Sequence, residues 1–148
     1  MVRLPPPVWT LAFALAAAAI SWAAGWPGVG WLRILPLGLA LFALGWLPPI
    51  WAITLFRRAG TEIRPDSPSN KSLVVAGPYH FTRNPMYLGL VVISLGIAFC
   101  IGAWPMLAVP ALVFCVTNLV HIPFEEAKMR RQFGASYEAY TKKVRRWL

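Results

Sequence analysis

The sequence predicts an all-α integral membrane protein: about four transmembrane helices followed by a C-terminal amphipathic interfacial helix. Of its 148 residues, 58% are hydrophobic and 13% charged, and the mean hydropathy is +0.59; soluble domains carry roughly 25% charged residues. The charges are also clustered, so that 4–32, 34–56 and, with His121 neutral, 84–124 contain none. A span needs ~20 apolar residues to cover ~30 Å of hydrocarbon, so the first two stretches hold one helix each and the third holds two.

The first span is placed at 8–24. Pro5, Pro6 and Pro7 before it, and Trp22 and Trp26 at its far end, fit an intact helix with interfacial anchors. A cleaved leader is the competing reading, since Arg3 precedes an alanine-rich run ending in small residues. The second span, 34–56, carries Gly38 and Gly45 with Ala40 and Ala43, a small-residue surface for another helix within or between chains. Pro48 and Pro49 predict a kink in it. The third, 85–101, starts with Asn84 as N-cap and Pro85 at the first helical position, where its missing N–H costs nothing. The free N–H groups around Met86, Tyr87 and Leu88 then face the polar loop and, with the helix dipole, favour anionic or electron-rich groups. Gly102, Ala103, Trp104 and Pro105 mark the break before the fourth span, 106–124.

At the end of that span Pro123 reads as near a helix start, with Glu125 and Glu126 in its first turn. Glu126 is matched by Arg130 at i,i+4, a structural pair; Glu125 has Met129 there and remains available to a ligand. Phe133, Tyr137, Tyr140, Val144 and Trp147 recur at spacings of 4, 3, 4 and 3. That pattern predicts the interfacial helix, with Glu138 and Lys142 as an exposed pair and Gly134 as an interruption.

All of the 14 lysines and arginines except Arg33 fall on the side that holds both termini and the 57–83 loop. The positive-inside rule puts that side in the cytoplasm and the protein in the inner membrane. The net charge of +9 is then topology plus attraction to anionic lipid, and nucleic acid is not needed as a partner. Cys100 and Cys115 lie inside spans as small apolar residues. No CxxC, HExxH, GxGxxG or Walker spacing occurs, which leaves a metal site or a soluble nucleotide fold without support.

Two polar clusters therefore reach one membrane face: PSNKSLVVAGPYHFTRNPMYLG, ending in the third span, and EEAKMRRQFGASYEAYTKKVRRW after the fourth. In order and spacing they resemble the isoprenylcysteine carboxyl methyltransferases and related phospholipid methyltransferases, integral-membrane enzymes that use S-adenosylmethionine. The resemblance runs from about residue 57 to 148, dividing the chain into two generic helices (1–56) and a methyltransferase core (57–148). It implies cofactor contacts for Lys71, Ser72, Leu73, Val74, Tyr79, Asn84, Pro85, Met86, Tyr87 and Glu125; Arg83 and His121 are the candidate catalytic residues, put forward on their own chemistry and not by the resemblance. The isoprenylcysteine enzymes usually have His where Asn84 stands and a substrate-holding Arg where His121 stands. Both departures weigh against a prenylcysteine carboxylate as acceptor, while NPMY is a common variant in the bacterial branch.

The residue types suit the cofactor. Glu125 offers an acceptor for an ammonium or ribose hydroxyls; Arg83, Lys71 or the helix N–H groups offer donors to a carboxylate. Tyr79 or Tyr87 offers an electron-rich face to a sulfonium. Methyl transfer is an in-line displacement for which alignment is the main requirement. A carboxylate acceptor needs no base, whereas a phosphoethanolamine ammonium must lose a proton, and His121 is either the group that takes it or a hydrogen-bonded helix-end histidine. The expected partner is a lipophilic molecule or lipid entering from the bilayer, with no obligatory protein partner. A membrane scaffold that binds anionic lipid without catalysis is the reading from another class.

Overall fold

In the computed structural model, which describes residues 4–28, 30–60 and 72–148, the chain crosses back and forth four times. Helix α1 is Pro6–Ala23. Helices α2 (Leu35–Gly45) and α3 (Leu47–Arg58) form one rod of 24 residues. Helix α4 is Pro85–Ile101. A 3₁₀ turn (Trp104–Leu107), α5 (Ala108–Val116), a π turn (Thr117–His121) and α6 (Ile122–Lys143) join into a second rod of 40 residues. Three stretches, Pro6–Ala23, Leu35–Arg58 and Trp104–Lys143, are long and apolar enough to cross a membrane, and α4 is a shorter apolar helix of 17 residues. At about 1.5 Å per residue the apolar part of the 40-residue rod, 104–124, alone matches the ~30 Å of hydrocarbon, so the polar part beyond Phe124, which kinks at Gly134, is expected outside the bilayer.

The proline effects are local. The rod of α2 and α3 breaks at Trp46, just ahead of Pro48 and Pro49, where the Trp46 N–H reaches back only to the Ala43 carbonyl (3.2 Å). A proline removes the i→i−4 bond and crowds the carbonyl one turn earlier, which places the break N-terminal to the ring. Pro123, read from sequence as near a helix start, lies inside the continuous rod; the π turn immediately before it absorbs the same clash. Gly102, left-handed at φ 72°, caps α4 and donates to the Ala98 carbonyl at 2.8 Å.

Helix α2 packs along α4 through four glycines set in antiparallel pairs. A Cβ at Gly38 would stand 2.8 Å from the Gly96 carbonyl oxygen, and one at Gly96 would stand 2.7 Å from that of Gly38. Gly45 and Gly89 repeat the arrangement one heptad on, at 3.1 and 2.6 Å. The small-residue surface of the second span is thus used within the chain. On the other side Ala17 of α1 joins Ala98, Ala103, Met106, Val109 and Val113 in an apolar core. The outward faces carry bare apolar side chains, such as Trp22, Trp31 and Leu119, each at least 70% exposed, as a lipid-facing surface should.

The end of the chain differs from expectation in two respects. Helix α6 stops at Lys143, and Val144 is extended (φ −123°, ψ 132°), so the aromatic stripe continues into a non-helical segment. Its members Tyr137, Tyr140 and Val144 are buried against Ala52 and Tyr79. Glu138 pairs with Arg130 at 2.8 Å instead of with Lys142, because the non-helical Gly134 (φ 49°, ψ −123°) turns the two halves of α6 toward each other.

Candidate active site

The loop before α4 is fixed by its own small residues. Gly77 (φ +61°) lies so close to α3 that a Cβ would meet Leu55 Cδ1 at 2.6 Å. This seats the 3₁₀ turn Gly77–His80 against α3, with Pro78 and Tyr79 buried. The Tyr79 ring stands edge-on to Phe56 with centroids 5.7 Å apart, and its carbonyl accepts the Tyr140 hydroxyl at 2.8 Å. Burial, then the neighbouring Glu125 and Tyr140, push the Tyr79 phenol well above its ordinary value, so it stays neutral.

Asn84 occupies the N-cap position of α4, but its side chain does not cap: Nδ2 donates to the Arg146 carbonyl at 2.8 Å. The Leu88 N–H is taken by the Asn84 carbonyl (3.0 Å), which narrows the expected free set to Met86 and Tyr87. One turn into α4, Tyr87 is 6% exposed and its hydroxyl donates to Glu125 Oε1 across the gap to α6. The two sequence-distant motifs therefore meet at a single hydrogen bond. Desolvation raises the Glu125 carboxyl to about 7, opposed by the Tyr87 hydroxyl and the Lys128 charge.

Glu126, which also lines the site, has different partners. It is 5% exposed and gathers Arg83 (3.2 Å), Arg146 (bidentate, 2.9 and 3.1 Å) and, at only 3.9 Å, Arg130. The i,i+4 pair foreseen from sequence is the weakest of the three. The bond from Glu126 raises the Arg146 guanidinium further above its usual value.

These side chains wall a cavity of about 460 Å³, within the usual size of small-molecule sites. Ser72, Leu73, Val74, Tyr79, Arg83, Asn84, Pro85, Met86, Tyr87 and Glu125 all line it. Lys71 lies outside the described residues. His121 is not on the wall: it is 3% exposed behind Tyr87, ring centroids 6.3 Å apart, and its Nε2 has no hydrogen-bond partner among the described residues. Sequence reasoning missed the apolar half of the cavity, made by Trp46, Pro49, Ile53, Leu90 and Ile93, and the prolines at the start of α1, Pro5, Pro6 and Pro7. Leu90 and Ile93 follow Tyr87 at steps of three, a helical face that could have been read; the prolines gave no signal. Among the described residues no cluster of metal-binding side chains occurs.

The cavity has a polar end at Glu125, Arg83 and the start of α4, and an apolar end between α3 and α4. Such a site can hold a zwitterionic polar molecule beside an aliphatic one.

The family described as phospholipid methyltransferase matches residues 34–136. The match begins within the second span and not after it, consistent with the contribution of α3 to the cavity. Protein-S-isoprenylcysteine O-methyltransferase of Schizosaccharomyces pombe is 36% identical over 72 residues, 49% of this chain and 30% of that protein's length. The chain thus spans less than a third of that relative. No solved structure matches the chain.

Proposed function

The chain belongs to the phospholipid methyltransferase family, and from that premise we propose that it is an integral-membrane methyltransferase that moves a methyl group from S-adenosylmethionine to a lipophilic acceptor at the cytoplasmic face of the inner membrane. Members of the family use this cofactor. The observation that carries the reading is the Tyr87–Glu125 contact on the wall of one cavity, which brings both polar motifs within reach of a single molecule.

The donor set fits the cofactor. When bound, it supplies an electrophilic methyl group on a sulfonium. Glu125, once ionised, accepts hydrogen bonds from an ammonium or from ribose hydroxyls, and Tyr87 orients the carboxylate for that task. The N–H groups of Met86 and Tyr87, with no backbone acceptor among the described residues, are placed to donate to a carboxylate at the positive end of α4. Tyr79 and Tyr87 remain neutral aromatic walls able to face a cation. Trp46, Pro49, Ile53, Leu90 and Ile93 exclude water and take the aliphatic part of the acceptor.

The acceptor we favour is a carboxylate of the isoprenylcysteine kind or a related isoprenoid or lipid acid. It is already ionised, so it needs no base, and the placement of His121 behind Tyr87 provides none at the wall; Arg83 and Lys128 are cations on that wall that can hold it. Methylation of a phosphatidylethanolamine amine is the second reading. It is favoured by one observation, a Glu125 carboxyl near 7 that can take a proton at neutral pH.

Calorimetry with S-adenosylhomocysteine on detergent-purified protein tests the cofactor. Binding by wild type that is lost in Glu125→Ala and Tyr87→Ala supports the proposal, and no binding by wild type refutes it. Mass spectrometry of lipids from cells making the protein separates the acceptors: mono- and dimethylated ethanolamine headgroups identify the amine, and methyl esters the acid.

A further inference from the structure

Residues 144–148 leave the helix and run back beside the loop before α4, touching that loop and Glu126 at once. Extended backbone at Val144 brings the Arg145 carbonyl to the Arg83 N–H (3.0 Å). The Arg146 carbonyl then accepts two donors, Thr82 Oγ1 at 3.1 Å and Asn84 Nδ2 at 2.8 Å, which saturates its two lone pairs. The Arg146 guanidinium forks onto Glu126 with bonds of 3.1 and 2.9 Å. Trp147 closes the segment, donating from Nε1 to Asn118 Oδ1 at 3.0 Å in the π turn while its ring lies 4.7 Å from that of Phe114.

We propose that residues 144–148 are a strap that positions the cofactor-facing loop 82–84 and the start of α4 against Glu126, with Arg146 as its positioning residue. The inference rests on the methyltransferase reading. It follows from what each bond replaces. The Asn84 side chain, the natural cap for α4, is held by the Arg146 carbonyl, and the first turn of α4 is left without a side-chain cap. The guanidinium fixes Glu126, and Glu126 neighbours Glu125 on α6, so one residue ties the Tyr87 side of the cavity to the Glu125 side. A lysine keeps the charge but cannot reproduce the planar two-bond fork. Arg146 does not line the cavity, so its influence on the bound molecule runs through these neighbours.

The test compares wild type, Arg146→Lys, Arg146→Met and a chain ending at Val144, each purified in detergent. Two quantities are measured: affinity for S-adenosylhomocysteine, and amide hydrogen exchange in peptides covering 82–88 and 93–101. The expected result is a loss of affinity of about tenfold in Arg146→Met and less in Arg146→Lys, with faster exchange in 82–88 and unchanged exchange in 93–101. The shortened chain should show the largest change in 82–88. Unchanged exchange in 82–88 in both Arg146→Met and the shortened chain overturns the strap. Faster exchange there with wild-type affinity overturns its positioning role, as does faster exchange in both peptides, which would mark general destabilisation. If wild type itself fails to bind, the methyltransferase reading falls and takes the positioning role with it; the exchange in 82–88 still decides whether the segment holds the loop.

Discussion

Whereas Glu126 gathers Arg83, Arg130 and Arg146, Glu125 has no guanidinium partner among the described residues. Its consequence is a pH dependence with a definite sign. Desolvation raises its carboxyl to about 7, so in the ligand-free protein its contribution to stability is fully present below the ordinary carboxylate range and is lost as the pH rises through about 7. Binding a cation works the other way, because only the ionised form attracts it. Affinity for S-adenosylhomocysteine, which bears the same ammonium, should therefore be about tenfold higher at pH 8 than at pH 6, and Glu125→Gln should flatten the profile. Calorimetry across that range checks both. Tyr87→Phe keeps the ring and removes only the hydroxyl that orients Glu125, and should weaken binding by roughly 3- to 10-fold, the net worth of one ordinary hydrogen bond. At this scale much was legible: the cavity residues of the NPMY stretch and Glu125 stand out because polar groups beside apolar runs need a reason. Arg146 was not, since a basic residue near a membrane surface has an ordinary explanation in topology and nothing local in sequence shows that its carbonyl and guanidinium are both engaged.

At the level of helices, the glycine contact between α2 and α4 sets the distance between the two walls of the apolar half-site. The Cβ of a larger residue at Gly96 would stand 2.5 Å from the Phe42 backbone nitrogen and 2.7 Å from the Gly38 carbonyl oxygen. Neither is a side-chain end that can swing aside, so α2 must move as a body. Gly96→Val should cost about 1–3 kcal/mol, seen as a lower thermal midpoint in detergent, whereas Gly30→Ala, with nothing within 4 Å of its Cβ, should be neutral. The sequence disclosed half of this contact: Gly38 and Gly45 read as a packing surface, while Gly89 and Gly96, at the same spacing of seven, lay unpaired with them until the antiparallel run of the helices brought them together. The prolines were legible as disturbances but not as to kind. Pro123 suggests a helix start, and α6 does begin at Ile122 with Glu125 in its first turn; what the sequence does not show is the π turn that joins α6 to α5 without a break.

Taken whole, the molecule is polarised end to end, and this fixes its expected orientation. The four crossings put the start of α1, the end of α3, the start of α4 and Glu125 around one cavity, while Gly28 pairs with Ala103 and Gly102 abuts Arg33 at the opposite end. Each basic residue near an anionic inner leaflet is worth about 1 kcal/mol, and Arg33 is alone at the far end, so the cavity end should face the cytoplasm. In a background with Cys100→Ala and Cys115→Ala, a cysteine introduced by Gly30→Cys should react with a membrane-impermeant maleimide in intact cells. One introduced by Lys142→Cys should react only after the membrane is opened. The reverse pattern would place Glu125 and Tyr87 on the outer face, away from the cytoplasmic pool of S-adenosylmethionine, and the proposed reaction would lack its methyl donor.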